Sequence, residues 1–197
     1  MGRHNIIRKL VICLVLVGLG GLGSEVTQQG KVGLPHPGEA TRPGYYRVVH
    51  VTDGDTFDVR IAGKTEIVRL VGMDTPETHD PRKAVQCYGE AATHEAHKLL
   101  DGQQVRLVGD PTDSDRDKYH RLLRYAYLEN GTLYNQYMVE HGYAFAYIIF
   151  PNVKLGQFKQ WEAEAKERQL GIWSACQVHL DGKIEQTQDV GPAPAPP

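Results

Sequence analysis

"YYRVVHVTDGDTFDVRIAGKTEIVRLVGMDTPE", residues 45–77, holds three strand signals separated by two turn signals. Phe57, Val59 and Ile61 alternate with Thr56, Asp58 and Arg60, the two-residue period of a half-buried strand. Asp53-Gly54 joins this run to "YYRVVHV" (45–51) as a tight-turn dipeptide, and Ala62-Gly63-Lys64 turns the chain into "TEIVRLVGM" (65–73). The third run ends on Asp74-Thr75-Pro76-Glu77, two carboxylates locked around a proline. Turns ordinarily manage with Gly, Asn or one Asp, so paired acids at a strand end ask for a reason beyond chain reversal.

Further along, "GEAATHEAHKLLDG" (89–102) places Ala92, Ala96, Leu99 and Leu100 on one helical face, with Gly102 as the stop. "QQVRLVG" and "RLLRYAYL" read as strands, and Asn130-Gly131 as a turn. Two more helices are expected near 133–141 and 154–170; in the second, Leu155, Phe158, Glu162 and Ala165 share a partly apolar face before Gly171. Short strands with interleaved helices imply a small curved β-barrel buttressed by helices, an α+β, mainly β fold.

The flanks differ in composition. Arg3, Arg8 and Lys9 precede the uncharged "LVICLVLVGLGGLG" (10–23), an apolar stretch of about 14 residues, shorter than the roughly 20 a membrane span needs. Residues 1–23 are therefore expected to be a signal peptide cut before Ser24, the alternative being an uncleaved anchor. Either reading implies export. Residues 24–44 read as a Gly/Pro/Gln/Thr-rich linker, 45–180 as the folded domain, and 181–197, ending in "VGPAPAPP", as a disordered tail. Without Cys13 two cysteines remain, Cys87 and Cys176; in an oxidising compartment they either bridge or stay as separate thiols.

Of 197 residues 41% are hydrophobic and 23% charged, with net charge −2, so no global basic field draws the chain to a polyanion. Chemistry must come from a local cluster. Asp53 and Asp55 occupy the first hairpin turn, Asp74 and Glu77 end the third strand, Arg69 lies on that strand, and Arg121 opens a later one. Singly, each acid is explained by a turn. Together, carboxylates repel unless a positive charge sits among them, and an all-oxygen set suits a hard cation such as Ca²⁺. With two guanidiniums beside it, such a set becomes a receptor for a phosphoryl group.

The ordered motifs "DGDT" (53–56), Arg69, "DTPE" (74–77), "YGEAA" (88–92), "DKYHR" (117–121) and the late "GIWS" (171–174) resemble the staphylococcal nuclease family over residues 45–174. The resemblance implies an OB-type five-stranded barrel with three helices and Ca²⁺-dependent hydrolysis of DNA and RNA to 3′-phosphorylated products. It implies Ca²⁺ ligation by Asp55, Asp74 and the Thr75 carbonyl. Glu77 is then the group that activates water, and Arg69 and Arg121 hold the scissile phosphate. Lys118, Tyr119 and Tyr147 become contacts to the terminal phosphate and base. Two departures stand out. His120 occupies a position where the family often has Gly, and the chain is slightly acidic, leaving affinity to Arg82, Lys83, Lys118, Arg121 and Arg124, with Asp113, Asp115 and Asp117 nearby.

"HEAH" (94–97) lacks zinc spacing and reads as surface helix histidines; the "YY" (45–46) and "YAY" (125–127) aromatics, Trp161 and Trp173 read as packing. The charged residues of 154–168 read as a solvated helix face. No obligate protein partner is expected, and membrane contact only through an uncleaved N-terminal segment. A non-catalytic nucleic-acid-binding module and an envelope protein binding carbohydrate or protein are the competing readings.

Overall fold

A computed structural model describes residues 43–191; the expected signal segment, Cys13, most of the linker and residues 192–197 lie outside the described residues. β1 (Tyr45–Val51), β2 (Thr56–Ile61) and β3 (Lys64–Leu70) form an antiparallel meander, registered by Val51 opposite Phe57 and Thr56 opposite Arg69. The chain then runs through β4 (Met73–Asp74), β5 (Val85–Gln86), α1 (Gly89–Leu100), β6 (Gln104–Val108) and β7 (Leu122–Tyr127). α2 (Tyr134–Glu140), β8 (Phe145–Ala146), α3 (Leu155–Glu167) and α4 (Ile172–Ala175) follow, and β9 (Val178–Asp181), β10 (Ile184–Thr187) and β11 (Asp189–Gly191) end it.

Strands β1-β2-β3-β7-β6 close into a barrel. β3 and β7 run parallel, with Val68 opposite Leu122, and β1 meets β6 to seal the ring. This is the expected OB-type, five-stranded α+β architecture. The alternation in β2 does its predicted work: Phe57 and Val59 are fully enclosed against Val68, Leu70 and Val105. Each such side chain contributes about 1.5–3 kcal/mol by leaving water. Ala92, Ala96 and Leu100 bury one face of α1, and Phe158 and Ala165 anchor α3. Trp161 packs edge-on against Phe158 and Trp173 against Phe145.

Two expectations change. Asp53-Gly54 does not form a two-residue turn: Thr52 and Asp53 donate their N–H groups to the Thr56 carbonyl, giving a wider loop that presents Asp55. Gly54 is required by close approach, since a Cβ there would lie 2.5 Å from Thr75 Cγ2. Nor does the folded chain stop at Leu180. Residues 184–191 continue in β10 and β11, β10 pairing with β9 and β11 with β5. A segment with Gln186, Thr187 and Gln188 lacks the apolar alternation that announces a strand; its order comes from partners distant in sequence. A disulfide joins Cys87, ahead of α1, to Cys176, just after α4.

Candidate active site

The strand register assembles the acids. Asp55 directly precedes β2, and its carbonyl accepts the Leu70 N–H at 2.9 Å, so the end of β3 lies against it. Arg69, opposite Thr56, reaches back with Nη1 3.2 Å from Asp55 Oδ2 and Nη2 hydrogen-bonded to Asp74 Oδ1. Nη1 also donates to the Leu70 and Met73 carbonyls at 3.1 and 3.0 Å. One guanidinium thus spans both aspartates and the turn between them. Gly72 makes that turn possible, with φ of 77° and no room for a side chain, since a Cβ there would lie 2.2 Å from Phe158 Cε2. Thr75 donates both its N–H and its hydroxyl to Asp55 Oδ2, at 3.0 and 3.1 Å, a role the sequence did not announce. Asp53 Oδ1 accepts the Asp55 N–H.

Three carboxylates share this one cation. Burial raises the Asp53 carboxyl well above its ordinary range, with the Asp55 charge adding to the effect. Burial likewise pushes Asp74 up to about 6, against the pull of Arg69, with Asp55 and Glu77 raising it further. Burial works against the Arg69 charge, yet Asp55, Asp74 and Asp53 outweigh it and hold the guanidinium above its usual value. The cluster is therefore short of positive charge. An oxygen-donor pair with excess negative charge fits Ca²⁺. Among the described residues no three His, Cys, Asp or Glu side chains gather to chelate an ion alone. The ion would accordingly rest on Asp55, Asp74, the Thr75 carbonyl and water.

Beside this cluster a cleft of about 530 Å³ collects the other expected groups: Arg69, Lys118, Tyr119, Arg121 and Tyr147 all line it. Parallel pairing of β3 with β7 brings Arg69, on β3, and Arg121, immediately before β7, to one cleft, although 52 positions of sequence separate them. Arg121 is oriented by Asp117, whose Oδ2 accepts from Nε at 2.7 Å and lies 2.7 Å from Nη2. The exposed Tyr119 ring has the Lys118 Nζ 4.9 Å and the Arg121 guanidinium 5.5 Å from its centre. Tyr147 lines both this cleft and a smaller one that Asp74 shares.

Asp55, Asp74 and Glu77 are not part of the larger cleft's wall; Arg69 is the residue common to both halves. Glu77 sits on the loop after β4, with Oε1 accepting the N–H groups of Thr78, His79 and Asp80 at 2.9, 2.9 and 3.0 Å. Of the expected basic groups, Arg82 is paired with Asp80 and Arg124 with Asp115, so carboxylates neutralise both. Sequence reading missed Arg116, a cleft residue paired with Glu66 at 2.8 Å, because the partner lies on a distant strand. It also missed Gln86, whose side chain accepts the Glu77 N–H at 2.8 Å; an uncharged residue outside any motif carries no signal. His94 and His97 form no metal site among the described residues; His97 pairs with Asp101 on the surface of α1.

A family model described as staphylococcal nuclease homologue matches residues 67–175, a span that holds Arg69, Asp74, Glu77 and Arg121 but not Asp55. The chain is 41% identical over 130 residues to an uncharacterized protein of Bacillus anthracis, covering 65% of this chain and 60% of that one. It is 37% identical over 145 residues to endonuclease YncB of Bacillus subtilis (strain 168), 73% of this chain and 68% of that protein. Thermonuclease of Staphylococcus intermedius is 41% identical over 129 residues, 65% and 75% of the respective chains. With more than half of its length matched by the family model, the chain belongs to the staphylococcal nuclease homologue family.

Proposed function

We propose that this protein is a Ca²⁺-dependent nuclease that hydrolyses phosphodiester bonds of DNA and RNA and leaves 3′-phosphorylated products. The observation that carries the reading is Arg69 and Arg121 on one cleft, with Arg69 also gripping Asp55 and Asp74. Two guanidiniums on one cleft bind a phosphodiester and favour the charge that develops on its oxygens during displacement. Glu77 takes the proton of the attacking water. Its Oε1 is anchored by three N–H donors, which leaves Oε2 for that role. As the bond from phosphorus to the 5′-oxygen breaks, Arg121 stabilises the departing oxygen. Lys118, Tyr119 and Tyr147 hold the neighbouring phosphate and base. Bound Ca²⁺ supplies Lewis-acid polarisation of a phosphoryl oxygen and neutralises Asp55 and Asp74.

The Cys87–Cys176 bridge supports action in an oxidising compartment outside the cytoplasm. No helix among the described residues is long and apolar enough to cross a membrane. The test is degradation of single-stranded DNA with Ca²⁺ and with chelator. Cleavage that chelation abolishes supports the proposal. Binding without cleavage identifies a non-catalytic module, and neither binding nor cleavage points to an envelope protein.

A further inference from the structure

Residues past 175, where the family match ends, run alongside the loop that carries Glu77. Gln86 is the link. Its N–H donates to the Glu77 carbonyl at 2.9 Å, and its side-chain Oε1 accepts the Glu77 N–H at 2.8 Å, so one residue grips both sides of the glutamate's backbone. Gln86 is itself held from the C-terminal side. Its Nε2 donates to Gln186 Oε1 at 3.2 Å, and β5 pairs with β11 through Gln86 opposite Asp189.

The next residue is tied down as firmly. Cys87 donates its N–H to the Gln188 carbonyl at 2.8 Å, its own carbonyl accepts the hydroxyl of fully enclosed Thr187 at 2.8 Å, and its sulfur is bridged to Cys176. Gln177 and Gln188 exchange hydrogen bonds at 2.7 and 3.1 Å, closing the segment on itself. On the other flank, Lys166 of α3 bridges Glu162 and Glu185, at 3.1 and 2.8 Å, and pins β10 to the helix. A loop without regular secondary structure thereby rests on a framework fixed by a covalent bond, a strand pair and an ion bridge.

We propose that residues 176–191 form a strap that positions Glu77 through Gln86, making Gln86 and Gln186 positioning residues for the reaction. The proposal rests on the nuclease reading for its catalytic consequence, but not for its structural one. Displacing a reacting group by about 1 Å costs turnover on the order of 100-fold, while no residue of the strap lines the larger cleft that holds Arg69, Lys118, Tyr119 and Arg121.

The experiment combines steady-state hydrolysis of single-stranded DNA with backbone amide exchange over residues 75–80. Gln186→Ala and Gln86→Ala are expected to lower kcat by roughly 10- to 100-fold with KM within about twofold. Gln186→Glu keeps the acceptor for Gln86 Nε2 and restores most of the loss. Cys87→Ser with Cys176→Ser, or thiol reduction of the wild type, speeds exchange at 75–80 while β2 stays protected, which separates loosening from unfolding. Unchanged kcat and unchanged exchange in all these proteins would overturn the strap. If the wild type cleaves no polynucleotide, the nuclease reading fails and the exchange measurements still decide whether the strap holds the loop.

Discussion

Arg69 Nη1 stands 3.2 Å from Asp55 Oδ2, and the same guanidinium holds Asp74 through Nη2. The contact couples an anionic cluster to a cleft lined by cations, because Arg69 belongs to both. Its removal strips the guanidinium paired with both Asp55 and Asp74 from largely buried acids. Arg69→Ala is expected to lower unfolding free energy by about 3–5 kcal/mol, measured by urea denaturation with chelator present. A loss under about 1 kcal/mol would mean that solvent, and not Arg69, balances these carboxylates.

Glu77→Gln keeps the shape of the loop and the carbonyl acceptor for Thr78, His79 and Asp80 but removes the base. Its kcat on single-stranded DNA is expected to fall by about 10²–10⁴ with an unchanged circular dichroism spectrum. Arg121→Ala is expected to cost about 10²–10³ through lost charge stabilisation. Near wild-type turnover in either protein would remove that residue from the reaction.

Asp74 takes one hydrogen bond from Arg69 and closes the acid pair with Asp55. Asp74→Asn keeps the size of the side chain and deletes one charge. Calcium titration calorimetry should show affinity reduced on the order of tenfold or more, since ligand charge sets affinity in oxygen sites. Equal affinity would place the ion elsewhere.

Asp110 provides the pH test. Burial alone would raise its carboxyl, but the Thr112 and Tyr125 hydroxyls and the N–H groups of Thr112 and Val153 outweigh it and bring it below 3.8. A carboxyl lowered in the folded state stabilises above its unfolded pKa, and that stabilisation fades as pH falls through the lower folded value. Asp110→Asn is therefore expected to be less stable at neutral pH and to lose less stability than wild type between about pH 4 and pH 2. Parallel acid curves for the two proteins would contradict the assignment.

His120 adopts φ of 66° beside Arg121, a left-handed conformation that costs a residue with a Cβ about 1–2 kcal/mol. Its side chain is exposed, and its carbonyl, which accepts from Arg116 at 2.8 Å, survives substitution. His120→Gly is expected to raise stability by about 1 kcal/mol after the entropy Gly loses on folding. A lower melting temperature would show that the imidazole makes a stabilising contact.

By itself the sequence determined the elements with strong period or punctuation: the β1–β3 meander, the enclosed Phe57 and Val59, the faces of α1 and α3, and the stop at Gly102, whereas α3 ends at Glu167, ahead of the expected stop at Gly171. Local sterics and burial of neighbouring side chains suffice for these, so they are written along the chain. The ordered acids, arginines and turns around Asp55, Arg69, Asp74, Glu77 and Arg121 likewise carried the family. Tertiary structure alone decided what required partners remote in sequence. It set the parallel β3–β7 pairing that brings Arg69 and Arg121 to one cleft, and Asp117 orienting Arg121. It also ordered residues 184–191, whose polar side chains promise no strand, and tied them through Gln186 and Gln86 to Glu77. Strands of two residues have no period to read; they exist because a distant backbone offers the matching donors and acceptors.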